Sequence, residues 1–159
     1  MRKLLTYVLL LVVCFGCVEQ RDELKSEVNA TIFYGSKLKN ERFDLIINKT
    51  DTLLNYRYAS KIDTLKTIYV QKLVQTGTLK FGSEKFIKIN KQPYKNEKIE
   101  GVEFDFYILE EPENDGTGPI LFNSEYGLLA IHNAYGPTII FLTQSDDYVS
   151  EQILTVLNE

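Results

Sequence analysis

Val102-Glu103-Phe104-Asp105-Phe106-Tyr107-Ile108-Leu109 alternates side-chain character along most of its length. In an extended chain successive side chains point to opposite faces. Val102, Phe104, Phe106 and Ile108 therefore share one face, and Glu103, Asp105 and Tyr107 the other. Aromatic and β-branched residues also suit a pleated, half-buried surface. The stretch predicts a strand with an apolar inner face and a polar outer one.

Downstream, Ile120–Asn123, Leu128–His132 and Thr138–Thr143 read as further strands, the last two joined across Asn133–Pro137. Upstream, Arg42–Asn48 alternates, with Phe43, Leu45 and Ile47 on one face. Asn48-Lys49-Thr50-Asp51 carries turn chemistry, so Thr52–Tyr58 returns as its partner strand. Thr64–Leu73 is rich in β-branched and aromatic residues. Gly82-Ser83, between Thr78–Phe81 and Glu84–Asn90, fits a two-residue hairpin loop with glycine first. The end of the chain changes period. Ser145 can cap a helix over 145–158, with Asp146 and Asp147 in its first turn. Val149, Ile153, Val156 and Leu157 then form one apolar stripe. A helix of about 12 residues is too short to persist alone and must dock.

The predicted fold is mainly β (α+β): an antiparallel curled sheet or partly open barrel of about eight to ten short strands, with the C-terminal helix docked on it. The chain has 159 residues, 44% of them hydrophobic, enough for one packed domain and too few for a separate cofactor domain. No repeat and no boundary interrupts 29–159, which reads as a single β-rich domain. Seventeen of the nineteen Phe and Tyr residues lie beyond residue 17 and are available to its core.

Charge is unevenly distributed. Val18–Lys98 holds 16 basic and 10 acidic residues, whereas Ile99–Glu159 holds 12 acids and neither lysine nor arginine. Acidic strands lying beside basic ones account for this pattern, with Glu103 and Asp105 meeting lysines across the sheet. The rival reading is a polarised face for a cationic partner. Nucleic acid is not an expected partner of a chain with net charge −4.

The candidate chemical sites are few. Glu111, Glu113, Asp115 and Gly116 occupy the first, third, fifth and sixth places of an EF-hand-like loop. Phe122 stands at the twelfth place, where calcium needs a bidentate glutamate. A solvated acidic hairpin loop is the simpler reading, so no metal or other cofactor is expected. His132 is the sole histidine, too few for a usual zinc site. Ser124, Glu125 and His132 lack any nucleophile-elbow sequence. Glu103 and Asp105 share a strand face and are the best carboxylate pair for glycosidase-like chemistry, yet acids on a solvent face are common.

The amino terminus reads as an address. Arg2 and Lys3 precede an apolar run, and counting generously from Leu4 to Val18 gives 15 residues. A helix that long reaches roughly 22 Å, short of the roughly 30 Å hydrocarbon core. A signal-peptide apolar region fits better. Gly16-Cys17 at its end resembles the lipobox of bacterial lipoproteins, although Cys14 stands where that family has an aliphatic residue and Phe15 is bulky. The resemblance implies cleavage between Gly16 and Cys17 and a diacylglyceryl group on the Cys17 thiol, with 1–16 removed and 17–28 a lipidated polar tether. Cys14-Phe15-Gly16-Cys17 is also formally a C-x-x-C redox motif, and ordinary secretory cleavage or an uncleaved anchor are further alternatives. Phe122–Leu129 is similar, loosely, to a late hairpin of small uncharacterised bacterial lipoproteins, which implies no site.

The expectation is thus a lipoprotein of the cell envelope, facing periplasm or exterior, that touches the membrane through its lipid and acts as a non-enzymatic interaction or scaffold module. Its partner would be another envelope protein. The alternative is a carrier or sensor holding a lipid or other apolar ligand inside the curled sheet, which needs an enclosed cavity of several hundred cubic ångströms.

Overall fold

A computed structural model describes residues 22–35, 37–112 and 116–159. Among them are eleven strands, a short 3-10 turn at Glu97–Ile99 and one α-helix, α1, at Asp147–Leu157. The strands are β1 (Asp22–Tyr34), β2 (Lys37–Lys49), β3 (Leu53–Ser60), β4 (Thr67–Leu73), β5 (Leu79–Phe81) and β6 (Glu84–Lys88), followed by β7 (Tyr94–Lys95), β8 (Glu103–Leu109), β9 (Thr117–Asn123), β10 (Gly127–Asn133) and β11 (Thr138–Leu142). All pairings are antiparallel. β11 returns to β1 and β6 meets β8, so ten strands close into an up-and-down barrel, and β7 extends the β6 edge of β8. Because neighbours in sequence are neighbours in space, loops alternate between two ends. β1 begins at one end, called here the entry end, together with the β2–β3 and β9–β10 turns.

The anticipated hairpins form. Phe43, Leu45 and Ile47 point inward from β2, and Tyr56 and Tyr58 from β3. Gly82 takes φ +61° at the first place of its two-residue loop, where an L side chain would be strained. On β8 one assignment needs correction. Phe104 and Phe106 do share a face, but it is the outer one, covered by α1, while Tyr107 on the opposite face is buried inside the barrel. Both faces of β8 are buried, so alternation there separates two cores instead of core and solvent.

The same duplication governs β9–β11. Ile120, Phe122, Leu128, Ile131 and Phe141 line the bore, and Leu121, Leu129, Ala130, Ile140 and Leu142 pack outside against Val149, Ile153 and Leu157 of α1. A bulge between Leu128 and Ala130 places the consecutive Leu129 and Ala130 in the same outer cluster. α1 is capped by Asp146, whose side chain accepts from the Val149 N–H at 3.0 Å, and not by Ser145. Asp146 sits one residue nearer the first buried stripe position, where its carboxylate also meets Lys98 at 2.8 Å.

The tether expected over 17–28 is corrected from Asp22 onward. Residues 22–28 are strand, paired in register with Lys49–Phe43 of β2. Their polar side chains carry no clear alternation, but a hairpin already closed at Tyr34 and Lys37 propagates the backbone ladder along the well-patterned β2. Lys61 and Arg42 hold Glu27, and Lys25 meets Glu23 at 2.7 Å.

Candidate functional site

Eight-stranded barrels are already about wide enough for side chains to fill, so a ten-stranded one has room to spare unless its walls approach. Here they do. Tyr56 on β3 and Phe122 on β9, on diametrically opposed strands, stack edge to face with centroids 5.0 Å apart. Tyr107 meets Phe122 at 5.9 Å, and Tyr58 meets Phe141 at 4.6 Å. The Tyr58 hydroxyl accepts from the Leu128 N–H at 2.7 Å, tying β3 to β10 across the bore. Burial raises the pKa of Tyr58, and that of Tyr107 is pushed up to about 12 by burial and by Asp105, so both stay neutral. Gly127, at φ +90°, admits the Tyr58 hydroxyl where any Cβ would collide with it.

Both ends of the bore carry charge. At the far end Glu41, almost wholly buried, accepts from Ser60 and from Lys66 at 2.7 Å, with Lys39 at 3.4 Å. Burial alone would raise its pKa, but the hydrogen bonds from Lys66 and Ser60 bring it below the usual carboxylate range. Glu41 has the inward parity of Phe43, a signal present in the sequence but obscured by its charge. At the entry end Lys72 donates to Ser124 Oγ at 2.7 Å and lies 5.6 Å from the Phe122 ring centre. Burial lowers its pKa. The Tyr56 hydroxyl donates to the Ser124 carbonyl at 2.6 Å. Ser124 is thereby fixed from two strands, and the turn closes the bore.

The residues singled out in the sequence do not converge. Ser124 lies at the entry end and His132 near the other end of β10, roughly 17 Å along the strand by its rise per residue. His132 Nδ1 pairs instead with Thr138 Oγ1 at 3.0 Å, and its ring occupies space left by Gly118, where a Cβ would lie 2.7 Å from it. Glu125 is exposed. Glu103 meets Lys95 at 3.1 Å and Asp105 meets Lys88 at 2.8 Å, so each carboxylate has its own lysine and no cleft separates a pair. Lys98–Asp146 and Lys85–Glu110 continue that pattern. The acidic C-terminal stretch is thus laced to the basic strands that precede it, by exposed pairs worth about 0.2–1 kcal/mol each. Glu111 is exposed, while Glu113 and Asp115 lie outside the described residues, as do Gly16 and Cys17. Among the described residues no three His, Cys, Asp or Glu side chains gather as metal ligands.

What the sequence did not reveal is a gap in the wall. β1 has 13 residues, but β11 pairs only with Asn29–Phe33. After Leu142 the chain leaves the sheet to cap α1. Between the first half of β1 and the β9–β10 turn remains a cleft of about 660 Å³. Leu24, Ile47 and Leu54 form its apolar floor, and Glu23, Lys49, Ser124 and Glu125 its rim. This recess stops above the Tyr56–Ser124–Lys72 closure. No protein family, curated protein or solved structure matches the chain.

Proposed function

We propose that the chain is a cell-envelope lipoprotein, anchored by a diacylglyceryl group on Cys17 after cleavage at Gly16-Cys17, whose barrel acts as a non-enzymatic interaction module. The observation that carries the functional half is the contact of facing walls through Tyr56 and Phe122. A bore filled in this way leaves the surface as the place of action and weighs against the carrier or sensor alternative. The anchor rests on the resemblance of the leader. Five residue steps separate Cys17 from Asp22, at most about 18 Å when extended. The entry end would then face the bilayer. The opposite end, with Ile62, Leu65 and Tyr135 exposed on loops, would face outward as an interaction surface.

The test is metabolic labelling with palmitate. Wild-type protein is expected to take the label and Cys17→Ser to lose it and keep the leader; labelling of the variant would remove the anchor. An organic extract of the purified Cys17→Ser protein should contain no stoichiometric lipid, and finding one would restore the carrier reading.

A further inference from the structure

The β3–β4 loop, residues 61–66, displays two large apolar side chains at the far end, Ile62 at 70% and Leu65 at 94% exposure. So little of either is buried that polar bonds must hold the loop's shape, and those bonds lead inward to one residue. Ser60 Oγ accepts from the Ile62 N–H at 3.2 Å and from the Asp63 N–H at 3.0 Å, and itself donates to Glu41 Oε1. At the other end of the loop Lys66 Nζ donates to Glu41 Oε2 at 2.7 Å. Glu41 thus grips the loop at both ends. Lys39 reaches the same Oε2 at 3.4 Å, so the two ammonium groups lie no more than about 6 Å apart and repel each other wherever no anion stands between them. Among the described residues neither lysine has another acid within ion-pair distance. The other neighbours of Glu41 supply no charge: Ala30 stands opposite on β1, and the Phe43 ring lies 5.4 Å from the Lys66 ammonium. Lys61 pairs instead with Glu27 and Asp44 on the outer face. Lys39 is fixed in the β1–β2 ladder opposite Ile32, whereas 61–66 belongs to no strand. Repulsion between the two lysines therefore moves the loop.

We propose that Glu41 is an acid-released latch on the β3–β4 loop: ionised, it holds the loop in one shape, and protonated, it lets the loop go while the barrel stays folded. Protonation removes the anion that Lys39 and Lys66 share and weakens the acceptor for Ser60. The Ile62 and Asp63 N–H groups then open to water as a local unit. The same bonds hold Glu41 below the usual carboxylate range, so the latch is shut at neutral pH and opens as pH falls through the lowered value. Ile62 and Leu65 are then no longer offered in a fixed arrangement, and the pre-organisation that favours binding is lost. That last step rests on reading the far end as an interaction surface. The latch itself does not, and it is measured on the protein alone, so its failure would leave the anchor and the filled bore untouched.

The test is amide hydrogen exchange on the full chain in detergent, expressed as protection relative to the intrinsic rate at each pH. The Ile62 and Asp63 amides are expected to be protected at neutral pH and to lose that protection at least tenfold below about pH 4.5, while Val70 and Ile140 in the strand ladders keep theirs. Glu41→Gln cannot ionise, so it should show the released loop already at neutral pH and no acid step. Lys39→Met removes the repelling ammonium at a side chain 56% exposed, so folding is retained, and should shrink the acid step at least threefold. Asp63→Asn removes the loop's own carboxylate and should leave the step in place. Loss of loop and core protection together, a step that survives in Glu41→Gln or is undiminished in Lys39→Met, or one abolished by Asp63→Asn overturns the proposal.

Discussion

The two halves of the barrel bury their strands differently. β2–β4 present one face to the bore and the other to water: Phe43, Leu45, Tyr56, Tyr58 and Val70 point in, while Arg42, Asp44, Tyr69 and Gln71 are exposed outside. β8–β11 are covered twice, by the bore and by α1. The difference teaches that alternation marks a solvated wall, whereas a continuous run such as Ile120-Leu121-Phe122 marks a wall between two cores. It also sets where the fold is robust. The doubly covered half packs both faces of its strands, the singly covered half carries the open edge, and exposed ion pairs occur on both.

Outward positions break or sharpen this contrast most. Leu121→Ala, facing α1, should cost about 3 kcal/mol through a cavity in the outer core, whereas Tyr69→Ala, outward and 59% exposed on β4, should cost less than about 1 kcal/mol. Urea unfolding of the two variants measures the difference, and equal costs would erase the contrast. Tyr58→Phe cuts the hydroxyl bond from β3 to β10 across the bore and leaves the buried Leu128 N–H without its partner, for an expected loss of about 1–3 kcal/mol. Neutral behaviour would mean that the walls do not depend on each other at that point.

Lys66→Ala should cost about 1.5–3 kcal/mol, because a charge-assisted hydrogen bond to the buried Glu41 is lost. The pH dependence has a definite sign. Glu41 has its pKa lowered in the fold, so its contribution is fully present above the ordinary carboxylate range and is lost as pH falls through the lowered value. Glu41→Gln should therefore flatten the decline of stability below about pH 4.5, a carboxylate's usual range. An unchanged acid limb would assign that decline to other groups. A modest effect belongs to the helix. Asp146→Ala removes the cap and should lower stability by about 1 kcal/mol, read from the thermal midpoint.

Much of this architecture was legible in local pattern. Arg42–Asn48 and the Gly82-Ser83 loop each carry a local signal and form as read, whereas the turn read at residues 48–51 lies at 50–52, because Asn48 and Lys49 still pair with Asn55 and Leu54. The lysine partners of Glu103 and Asp105 followed from charge balance alone. Closure was not legible, because the pairing of Asn29–Phe33 with Thr138–Leu142 joins segments more than a hundred residues apart with no shared motif. Nor was the first half of β1: Glu23, Lys25 and Glu27 read as tether because their order comes from the β2 backbone rather than from burial. The cleft arises from both failures, since it lies where a long first strand outruns a short last one. His132, Ser124 and the acidic loop drew notice for their chemistry, but the barrel keeps the first two near opposite ends.

Amide hydrogen exchange followed residue by residue in β1 tests the central claim most directly. A barrel closed at Asn29–Phe33 but open beyond predicts alternation: Lys25 and Glu27 exchange at nearly unprotected rates, Ser26 and Val28 slowly, and Leu121 and Ile140 only with global unfolding. Uniform protection from Glu23 to Val28 would mean that the edge is already filled, and uniform exposure that this half of β1 is not strand. Either result would contradict the open wall.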